Sequence, residues 1–367
     1  MTGFGFTLTV GFAPAPDPVM AAVRQIEVET SNEEAGVFRL TLAIAQTAIG
    51  DWTVLDLDLF RPLVPVSIRV TGVMGLPEAI INGYVTGQSV RYRATAGDTV
   101  LEVTGMDATL LMNLEEKVKA WPNMPDSAIA AAIFGEHTLI PRLQVTAPQR
   151  FEPQSSTLQR GTDIRFLRRL ARRNGFECYV QADALTGLDQ GFFQPPQLTG
   201  LPQAVLNVNM GGETNVSDFQ ADYDMVQPTT AIGAEIDLST KAPLPALAAV
   251  AAQVPQGLEP ALSRILPPPA VRIAATGAAT AGELQAVAQG IADQSSFAVR
   301  ASGTVFPEVG ILRPGGIVNV RGAGRVFNGS YYLTKVSHVI SNQGHVQRFE
   351  SKRNAVTMTG AEVYFSL

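Results

Sequence analysis

Short β-like runs punctuated by glycine and proline occupy both ends of this chain, and a helical stretch lies between them. Toward the N-terminus, the runs lie at residues 24–30, 36–45, 66–71, 79–92 and 99–104. Toward the C-terminus, they lie at residues 297–306, 317–321, 331–340 and 345–352. Apolar and polar side chains alternate in many of these runs, which is typical of half-buried strands. The spacing predicts a barrel or sandwich in the first hundred residues and a second β-rich module at the other end.

The middle of the chain changes to a helical period. Asp126 or Ser127, after Pro125, is predicted to cap a helix. A second predicted helix begins near Thr162 and ends at Asn174-Gly175, where glycine accepts the left-handed conformation that ends helices. Its last turns contain Arg168, Arg169, Arg172 and Arg173, which we interpret as a solvated helix end, with a phosphate or partner site as the alternative. A strand at 176–180 follows, so this region is predicted to be a small α+β part.

The segment from residue 240 to 281 is rich in alanine and proline and ends near the run Pro267-Pro268-Pro269. Such a composition favours an extended, semi-rigid connection over a packed element, so we interpret the segment as an insertion or long surface loop. A short amphipathic helix is predicted at 282–293, with Leu284, Val287, Ala288 and Ile291 on one face. Two β modules on either side of the α+β part suggest an internal duplication whose copies have diverged in sequence.

Composition excludes several classes of partner. The chain has 46% hydrophobic and 16% charged residues, with a formal net charge of -6, which gives no basic footprint for nucleic acid or an anionic membrane. The most apolar window, 242–254, is interrupted by prolines and too short to span a bilayer. The N-terminus has no basic segment before an apolar run, so we expect no signal peptide. A low charge and a high apolar fraction suit a protein that buries surface against partners.

The sequence contains no recognisable catalytic or metal-binding constellation, and we predict no catalytic, cofactor-binding or metal-binding residues and no cofactor. His137, His338 and His345 stand outside metal-like spacings and are expected to make structural hydrogen bonds. The one cysteine, Cys178, is interpreted as a core residue of a protein made in a reducing compartment. Gly322-Ala323-Gly324 is predicted to join two strands without opening a helix, which disfavours a phosphate cradle.

Two further sets of residues leave an enzymatic hypothesis open. The acidic pairs Glu115-Glu116 and Asp56 with Asp58 could serve a glycosidase only if two carboxylates met in a cleft, and we interpret them as solvated surface residues. Trp52 and Trp121 are expected to be core or interface anchors and not sugar platforms.

Four groups of motifs, taken in order, resemble the late control protein D family of contractile phage tails and the hub part of type VI secretion spike proteins. They are INGYVT at 81–86 with LEVTGMD at 101–107; PDSAI at 125–129; RGTDIRFLRRLA at 160–171 with NGF at 174–176; and LRPG at 312–315, Gly322, Gly324, GSYYLTKVSH at 329–338, RFE at 348–350 and RN at 353–354. Their order and spacing over about nine tenths of the chain is more specific than any one of them.

The resemblance implies a mainly β fold with an α+β part, containing two tail-tube-like β-barrel domains in one chain. It divides the chain into a first barrel at 1–108, an α+β part at 109–200, strands of the second barrel at 201–240, the Ala/Pro-rich insertion at 241–281 and the rest of the second barrel at 282–367. Three copies would form a ring with near-sixfold symmetry that joins a hexameric tube to a trimeric spike. Such obligate ring interfaces are large and apolar.

The function implied by the resemblance is that of a non-enzymatic baseplate hub in a contractile phage tail or phage-tail-like particle. Its expected partners are two further copies of itself, the tail tube or tube-initiator protein, the central spike and other baseplate proteins, without membrane insertion or sequence-specific nucleic acid. We expect synthesis in the bacterial cytoplasm and assembly into a baseplate, with no fused needle, lysozyme domain or effector after the second β module. The alternative is a tail-associated cell-wall hydrolase or a receptor-binding tail protein.

Overall fold

The computed structural model describes residues 5–72, 75–95, 98–146, 156–227, 229–233, 236, 241–243, 247–263, 269–273 and 281–364. The fold is mainly β, as the sequence predicted, and one large, predominantly antiparallel sheet dominates it. Part of the Ala/Pro-rich segment, including Pro267 and Pro268, lies outside the described residues.

The strands of the N-terminal half are β1 Phe6–Val10, β2 Ala13–Pro14, β3 Val23–Ser31, β4 Val37–Ala43, β5 Pro65–Thr71, β6 Pro77–Arg91, β7 Val100–Met106, β8 Glu116–Trp121, β9 Ile140–Leu143, β10 Thr157–Thr162, β11 Glu177–Ala182 and β12 Asp189–Gln194. The later strands are β13 Ala204–Asn207, β14 Val216–Tyr223, β15 Thr230–Gly233, β16 Leu247–Val250, β17 Glu259–Pro260, β18 Ala270–Ile273, β19 Val299–Val305, β20 Ile317–Arg321, β21 Gly329–Ser341, β22 Gly344–Arg353 and β23 Ala355–Val356. Each strand run predicted at the two ends of the chain is confirmed within a few residues.

The helices are α1 Asp17–Ala22, α2 Asp126–Glu136, α3 Asp163–Arg173, α4 Ala281–Ser296 and α5 Gly324–Phe327. The predicted helices in the middle of the chain and before the last strands are confirmed as α2, α3 and α4. The one-turn helix α5 corrects the interpretation of Gly322-Ala323-Gly324, because Gly324 opens a helix between β20 and β21. Among the described residues, none of the helices combines the length and the apolar character that crossing a membrane requires.

The large sheet contains two sets of six strands with the same spatial order. In the first set, neighbours follow the order β3-β4-β7-β6-β5-β1. In the second, they follow the order β14-β19-β22-β21-β20-β13. When the six strands of each set are numbered by their order along the chain, both sets have the spatial order 2-3-6-5-4-1. They differ at the last pair, which is antiparallel in the first set and parallel in the second. Closure of either set into a barrel stays a prediction.

Two irregularities in the strand pairing recur at the same places in both sets, whereas the bulge of the β5–β6 pair between Ile68 and Arg69 has no counterpart in the β20–β21 pair. The β3–β4 pair is bulged between Val23 and Gln25, and the corresponding β14–β19 pair is bulged between Val216 and Asp218. The β6–β7 pair is bulged after Val85, and the corresponding β21–β22 pair is bulged after Leu333. Since bulges re-aim strands at defined points, their recurrence supports an internal duplication of the whole strand set.

Each set has its own hydrophobic core. The first includes Ile26, Leu40 and Val103, and the second includes Val299, Val336 and Phe349. A third core, built around Phe134, Phe166 and Phe193, lies in the α+β part. That part packs α2 and α3 against the β8–β10 pair and the sheet β11-β12-β9.

The interpretation of residues 241–281 as an extended connection was wrong for β16 and β18, although residues 251–258 lie outside helices and strands. Strands β16 and β18 flank β15 in a three-stranded sheet, and α4 packs on it. The core of this unit consists mainly of alanine: Ala231, Ala249, Ala288 and Ala292 are all buried. Alanine contributes little amphipathic contrast to a sequence, so the pattern of larger apolar residues did not indicate this packing.

The start of α2 also differs from the prediction. Pro125 occupies the N-cap position, and neither Asp126 nor Ser127 caps the helix with its side chain. The backbone N–H of Ser127 instead donates to the Thr146 hydroxyl at 3.0 Å, and the backbone N–H of Thr146 donates to the Ser127 hydroxyl at 3.1 Å. A partner nineteen residues further along the chain therefore supplies the hydrogen bonds that the local sequence was expected to supply.

Replacing Gly105 on β7 with alanine is expected to destabilise the first strand set by about 1–3 kcal/mol. An added Cβ would overlap the ring of Phe38 and lie 2.6 Å from the carbonyl oxygen of Tyr84. Gly87→Ala is the matched control, because the nearest atom to its Cβ would be the Thr104 hydroxyl at 3.4 Å. Urea unfolding of both variants tests the packing, and equal midpoints would contradict it.

Candidate functional site

The two strand sets meet where β21 pairs antiparallel with β3. In this joint, Ser337 lies opposite Glu29 and Ile340 lies opposite Ile26. The Lys335 ammonium lies 2.7 Å from a carboxylate oxygen of Glu29, and the Ser337 hydroxyl donates to the same carboxylate at 3.4 Å. The joint therefore has a charged side and an apolar side, and it makes eight strands, from β14 to β6, continuous.

One face of these eight strands is polar. We call it the polar face and define it by Asp218, Gln220, Asp222, Arg300, Ser302, Thr304, Arg348, Glu350, Lys335, Ser337, Glu27, Glu29, Arg39, Thr41, Glu102, Thr104, Ser89 and Arg91. Charges of both signs are interspersed, and Arg39 pairs with Glu27 at 3.4 Å. Three open depressions of about 450, 470 and 540 Å³ lie along it. The opposite face carries the apolar side chains of the two cores.

A buried polar network ties the α+β part to both strand sets. The Glu177 carboxylate on β11 accepts hydrogen bonds from the Tyr332 hydroxyl at 2.5 Å and the Asn32 amide at 3.0 Å. The Lys352 ammonium on β22 lies 3.4 Å from Glu177 and 3.0 Å from Glu33. The network thus links β11, the last strands of the second set and the loop after β3.

The electrostatics of this network follow from its burial. Desolvation raises the pKa of Glu177 above its usual range, although the Lys352 charge and the Tyr332 hydroxyl act in the opposite direction. Burial, followed by the charge of Glu177, also raises the pKa of Tyr332 well above its usual value. The cation at Lys352 is therefore what makes an ionised Glu177 tolerable inside the protein.

The aspartate of the LEVTGMD motif has a structural position. One carboxylate oxygen of Asp107 accepts the backbone N–H of Gly36 at 2.5 Å, and the other accepts the backbone N–H of Thr109 at 2.9 Å. Burial raises the pKa of Asp107, and the nearby Arg168 charge is among the effects that lower it. Asp107 holds the β3–β4 connection against the end of β7.

The interpretation of the arginine cluster as a solvated helix end was wrong for two of its members. Arg173 forms a bidentate pair with Asp126 at the start of α2, and it lies 3.4 Å from Glu283 of α4. Two guanidinium nitrogens of Arg168 are buried and have no hydrogen-bond partner among the described residues. Arg173 therefore connects three helices, whereas Arg169 and Arg172 lie at the surface or near it.

The RN motif at the end of β22 secures the Ala/Pro-rich segment. Arg353 is fully buried and donates to the carbonyl oxygens of Gln256, Asn328 and Thr357 at 2.7–3.1 Å. The side-chain oxygen of Asn354 accepts the backbone N–H of Gln256 at 2.8 Å. These two residues bind the segment to the second strand set.

The residues considered for chemistry are mostly structural. His338 and His345 are buried and hydrogen-bonded to each other at 3.0 Å, and burial lowers the pKa of His345 to about 4. His137 lies 2.8 Å from Asp163. Burial raises the pKa of Cys178 to about 12, so its thiol is a core group. The indole N–H of Trp121 donates to Gln159 at 3.1 Å.

The remaining candidates do not converge on a cleft. Trp52 contacts Tyr92 edge-to-face at 5.2 Å and packs on the first core. Asp58 lies 3.6 Å from Arg61 at the surface, and Glu115 and Glu116 are exposed. Within the described ranges, no group of three or more His, Cys, Asp or Glu residues could hold a metal ion.

The two strand sets share short sequence motifs that were not identified from the sequence alone. Tyr84-Val85-Thr86 on β6 and Tyr332-Leu333-Thr334 on β21 each stand where the strand changes partners. Arg-Pro precedes β5 at 61–62 and β20 at 313–314, four residues before the strand in both cases. Aligning the two ends of the chain on these short motifs would have located the duplication.

The family model described as the Alg8 N-terminal domain matches residues 6–342. The chain belongs to this family. The match includes the first strand set, the α+β part and the second strand set as far as β21, and it ends before β22. A comparison with curated proteins found no match.

Solved structures with the same fold come from phage tails and secretion systems. A tail protein from Neisseria meningitidis MC58 matches with a TM-score of 0.65 and 13% identity, covering 98% of this chain and 100% of that one. The 43 kDa tail protein of prophage MuSo2 from Shewanella oneidensis matches with a TM-score of 0.65 and 14% identity, covering 96% and 100%. The E. coli c3393 protein, a type VI secretion component, matches with a TM-score of 0.57 and 14% identity, covering 98% and 79%. The chain therefore has the fold of these tail proteins.

Proposed function

We propose that this chain is a structural baseplate hub of a contractile phage tail or phage-tail-like injection particle. In this proposal, three copies form a ring in which six strand sets surround one axis. The ring joins the hexameric tail tube on one side to the trimeric central spike on the other. Membership of the late control protein D family is part of the same proposal.

The repeated strand order carries the proposal. Two sets with the same strand order and two shared bulges, joined in one continuous run of eight strands, allow each chain to occupy two positions of a sixfold arrangement. A threefold assembly of such chains offers nearly sixfold contacts to a tube while keeping threefold contacts for a spike. The tail-protein fold of the solved structures supports the same conclusion.

The polar face is suited to line the channel of this ring. Its interspersed charges keep it hydrated, and the pairing of Arg39 with Glu27 and Lys335 with Glu29 limits the net attraction for a passing polypeptide or nucleic acid. The chain would then act through interfaces, without catalysis or a cofactor. It would be made in the bacterial cytoplasm and become part of the baseplate with other baseplate proteins.

Co-assembly with the tube and spike proteins of the same particle tests this function. We expect the purified chain to bind a ring of tube protein on one side and a spike trimer on the other, with three copies of the chain per complex. A chain that binds neither protein would contradict the proposal. Release of peptidoglycan fragments by the chain, lost on substitution of one carboxylate, would favour the hydrolase alternative instead.

A further inference from the structure

Two strand edges of the continuous sheet pair with no other strand among the described residues. The first is the outer edge of β14, which pairs only with β19. The second is the outer edge of β6 at residues 87–91, where the strand pairs with β7 on its other side only. Exposed strand edges readily pair with another chain unless something covers them. These edges lie at opposite ends of the eight-stranded sheet.

The joint inside the chain shows how such edges fit together. There, β21 of the second set pairs with β3 of the first. The backbone N–H of Asn32 donates to the Thr334 carbonyl, so these two opposed residues form a hydrogen-bonded pair. Hydrogen-bonded and non-hydrogen-bonded pairs alternate along an antiparallel ladder. Ser337 and Glu29, three positions further along the joint, therefore form a non-hydrogen-bonded pair, whose Cα atoms lie closer together. By the order of the sets, β6 corresponds to β21 and β14 corresponds to β3.

The bulges fix this correspondence residue by residue. The first residue after the bulge is Lys335 in β21 and Gly87 in β6, so Ser337 corresponds to Ser89 two residues later. The first residue after the bulge is Gln25 in β3 and Asp218 in β14. Four residues later, Glu29 therefore corresponds to Asp222.

We propose that β6 of one copy pairs antiparallel with β14 of the next copy, with Ser89 opposite Asp222 and Arg91 opposite Gln220. The proposal rests on the ring of the proposed function and gives that ring a strand register. It makes the contact between chains a repetition of the contact within the chain. The eight strands of each copy would then continue into the eight of its neighbour.

The side chains on the two edges are complementary in this register. Arg91 would lie between Asp222 and Asp218, its diagonal neighbours on the polar face, where cross-strand charge pairs are favourable. On the other face, Tyr92 would lie beyond the end of β6, opposite Phe219. Tyr92 is 60% exposed in the single chain, and Phe219 is only partly buried against the second core. Pairing would cover both aromatic side chains.

The predicted contact is head-to-tail, since it joins two different edges. A contact of this kind generates a ring if its rotation closes and a filament if it does not. A twofold dimer, by contrast, would bring the same edge of both copies together. The two arrangements place different residues next to each other, which makes them separable by cross-linking.

Cysteine cross-linking tests the register. In the full chain carrying Ser89→Cys and Asp222→Cys, oxidation is expected to give disulfide-linked species at two and three times the chain mass. In the proposed register, Ser89 and Asp222 form a non-hydrogen-bonded pair, and the short Cβ separation of such pairs suits a disulfide. Each single variant is expected to remain uncross-linked, and a mixture of the two single variants is expected to give dimers only. The native thiol at Cys178 is buried and adds no background.

The matched control carries Ser89→Cys with Asp218→Cys, which makes the same kinds of substitution four residues away along β14. It is expected to show no cross-link, because the separation would exceed disulfide reach. A trimer by mass whose Ser89→Cys/Asp222→Cys form stays uncross-linked would overturn the register and leave the hub intact. A series of cross-linked species that continues beyond three chain masses would support the strand contact between copies and contradict a closed ring of three. A chain that stays monomeric and uncross-linked would overturn both.

Discussion

Replacing Lys352 with methionine is expected to destabilise the protein by about 3–5 kcal/mol at neutral pH, because it leaves a buried carboxylate without its cation. The side chains of Lys352 and Glu177 are 9% and 6% exposed, and Lys352 is the ammonium group nearest to Glu177 in the network. Chemical unfolding of the two proteins at pH 7 measures the difference.

Two further variants identify the cause. Lys335→Met removes a partly exposed ion pair with Glu29 on the neighbouring strand, and such pairs contribute about 0–1 kcal/mol. Adding Glu177→Gln to Lys352→Met removes the carboxylate and is expected to restore much of the lost stability. If the double variant were no more stable than Lys352→Met, the loss of stability would come from packing and not from the unpaired Glu177 carboxylate.

The penalty of Lys352→Met is expected to depend on pH. Burial already raises the pKa of Glu177 above its usual value of 4.5, and loss of the cation raises that pKa further. The native state then holds a proton that the unfolded state releases, so stability falls as the pH rises above 4.5. The difference between variant and parent should be small at pH 4 and grow toward neutrality. A difference independent of pH would contradict this assignment.

Replacing Arg353 with alanine is expected to cost at least about 3 kcal/mol, because it leaves several buried carbonyl groups without donors. The guanidinium occupies a space that Gly329 keeps open, where an added Cβ would lie 2.5 Å from a guanidinium nitrogen. Hydrogen exchange should also rise at residues 256–260, which Arg353 and β23 hold in place.

Arg348→Ala is the matched control, since Arg348 lies on the same strand and is exposed on the polar face. Its effect on unfolding is expected to stay within about 0.5 kcal/mol. Equal losses in the two variants, or unchanged exchange at 256–260 in Arg353→Ala, would show that the buried guanidinium does not anchor the segment.

Local periodicity predicted most of the elements of this fold. Strands such as β3 and β4 alternate apolar and polar side chains, and α3 begins after Thr162 and has Asn174 as its C-cap, as its sequence indicates. These patterns depend on neighbours in the chain, so a single sequence contains them. The cap of α2 does not, because its partner Thr146 is reached only after folding.

Packing built from small or distant residues could not be predicted in this way. The alanine core around Ala249 and Ala288 has no strong apolar contrast, so composition favoured a loop where a small sheet and a helix pack together. The contact of Glu177 with Lys352 joins residues 175 positions apart. Charge and spacing along the chain cannot indicate such a pair.

The joint between β21 and β3 is the feature with the largest consequence for function. Its residues, from Gln25 to Ser31 and from Lys335 to Ser341, lie at opposite ends of the chain, and their sequences did not indicate that the two strands pair with each other. The repeated Tyr-x-Thr motif on β6 and β21 was visible in the sequence, but its meaning depends on the strand order. The structure supplies that order, and the register of the proposed ring follows from it.

Native mass spectrometry of the purified chain measures whether the duplicated chain closes as a ring of three copies. We expect one dominant species at three times the 39.0 kDa chain mass or, with the spike protein added, a complex that contains three copies of the chain. A dominant monomer, or a twofold dimer under both conditions, would contradict it.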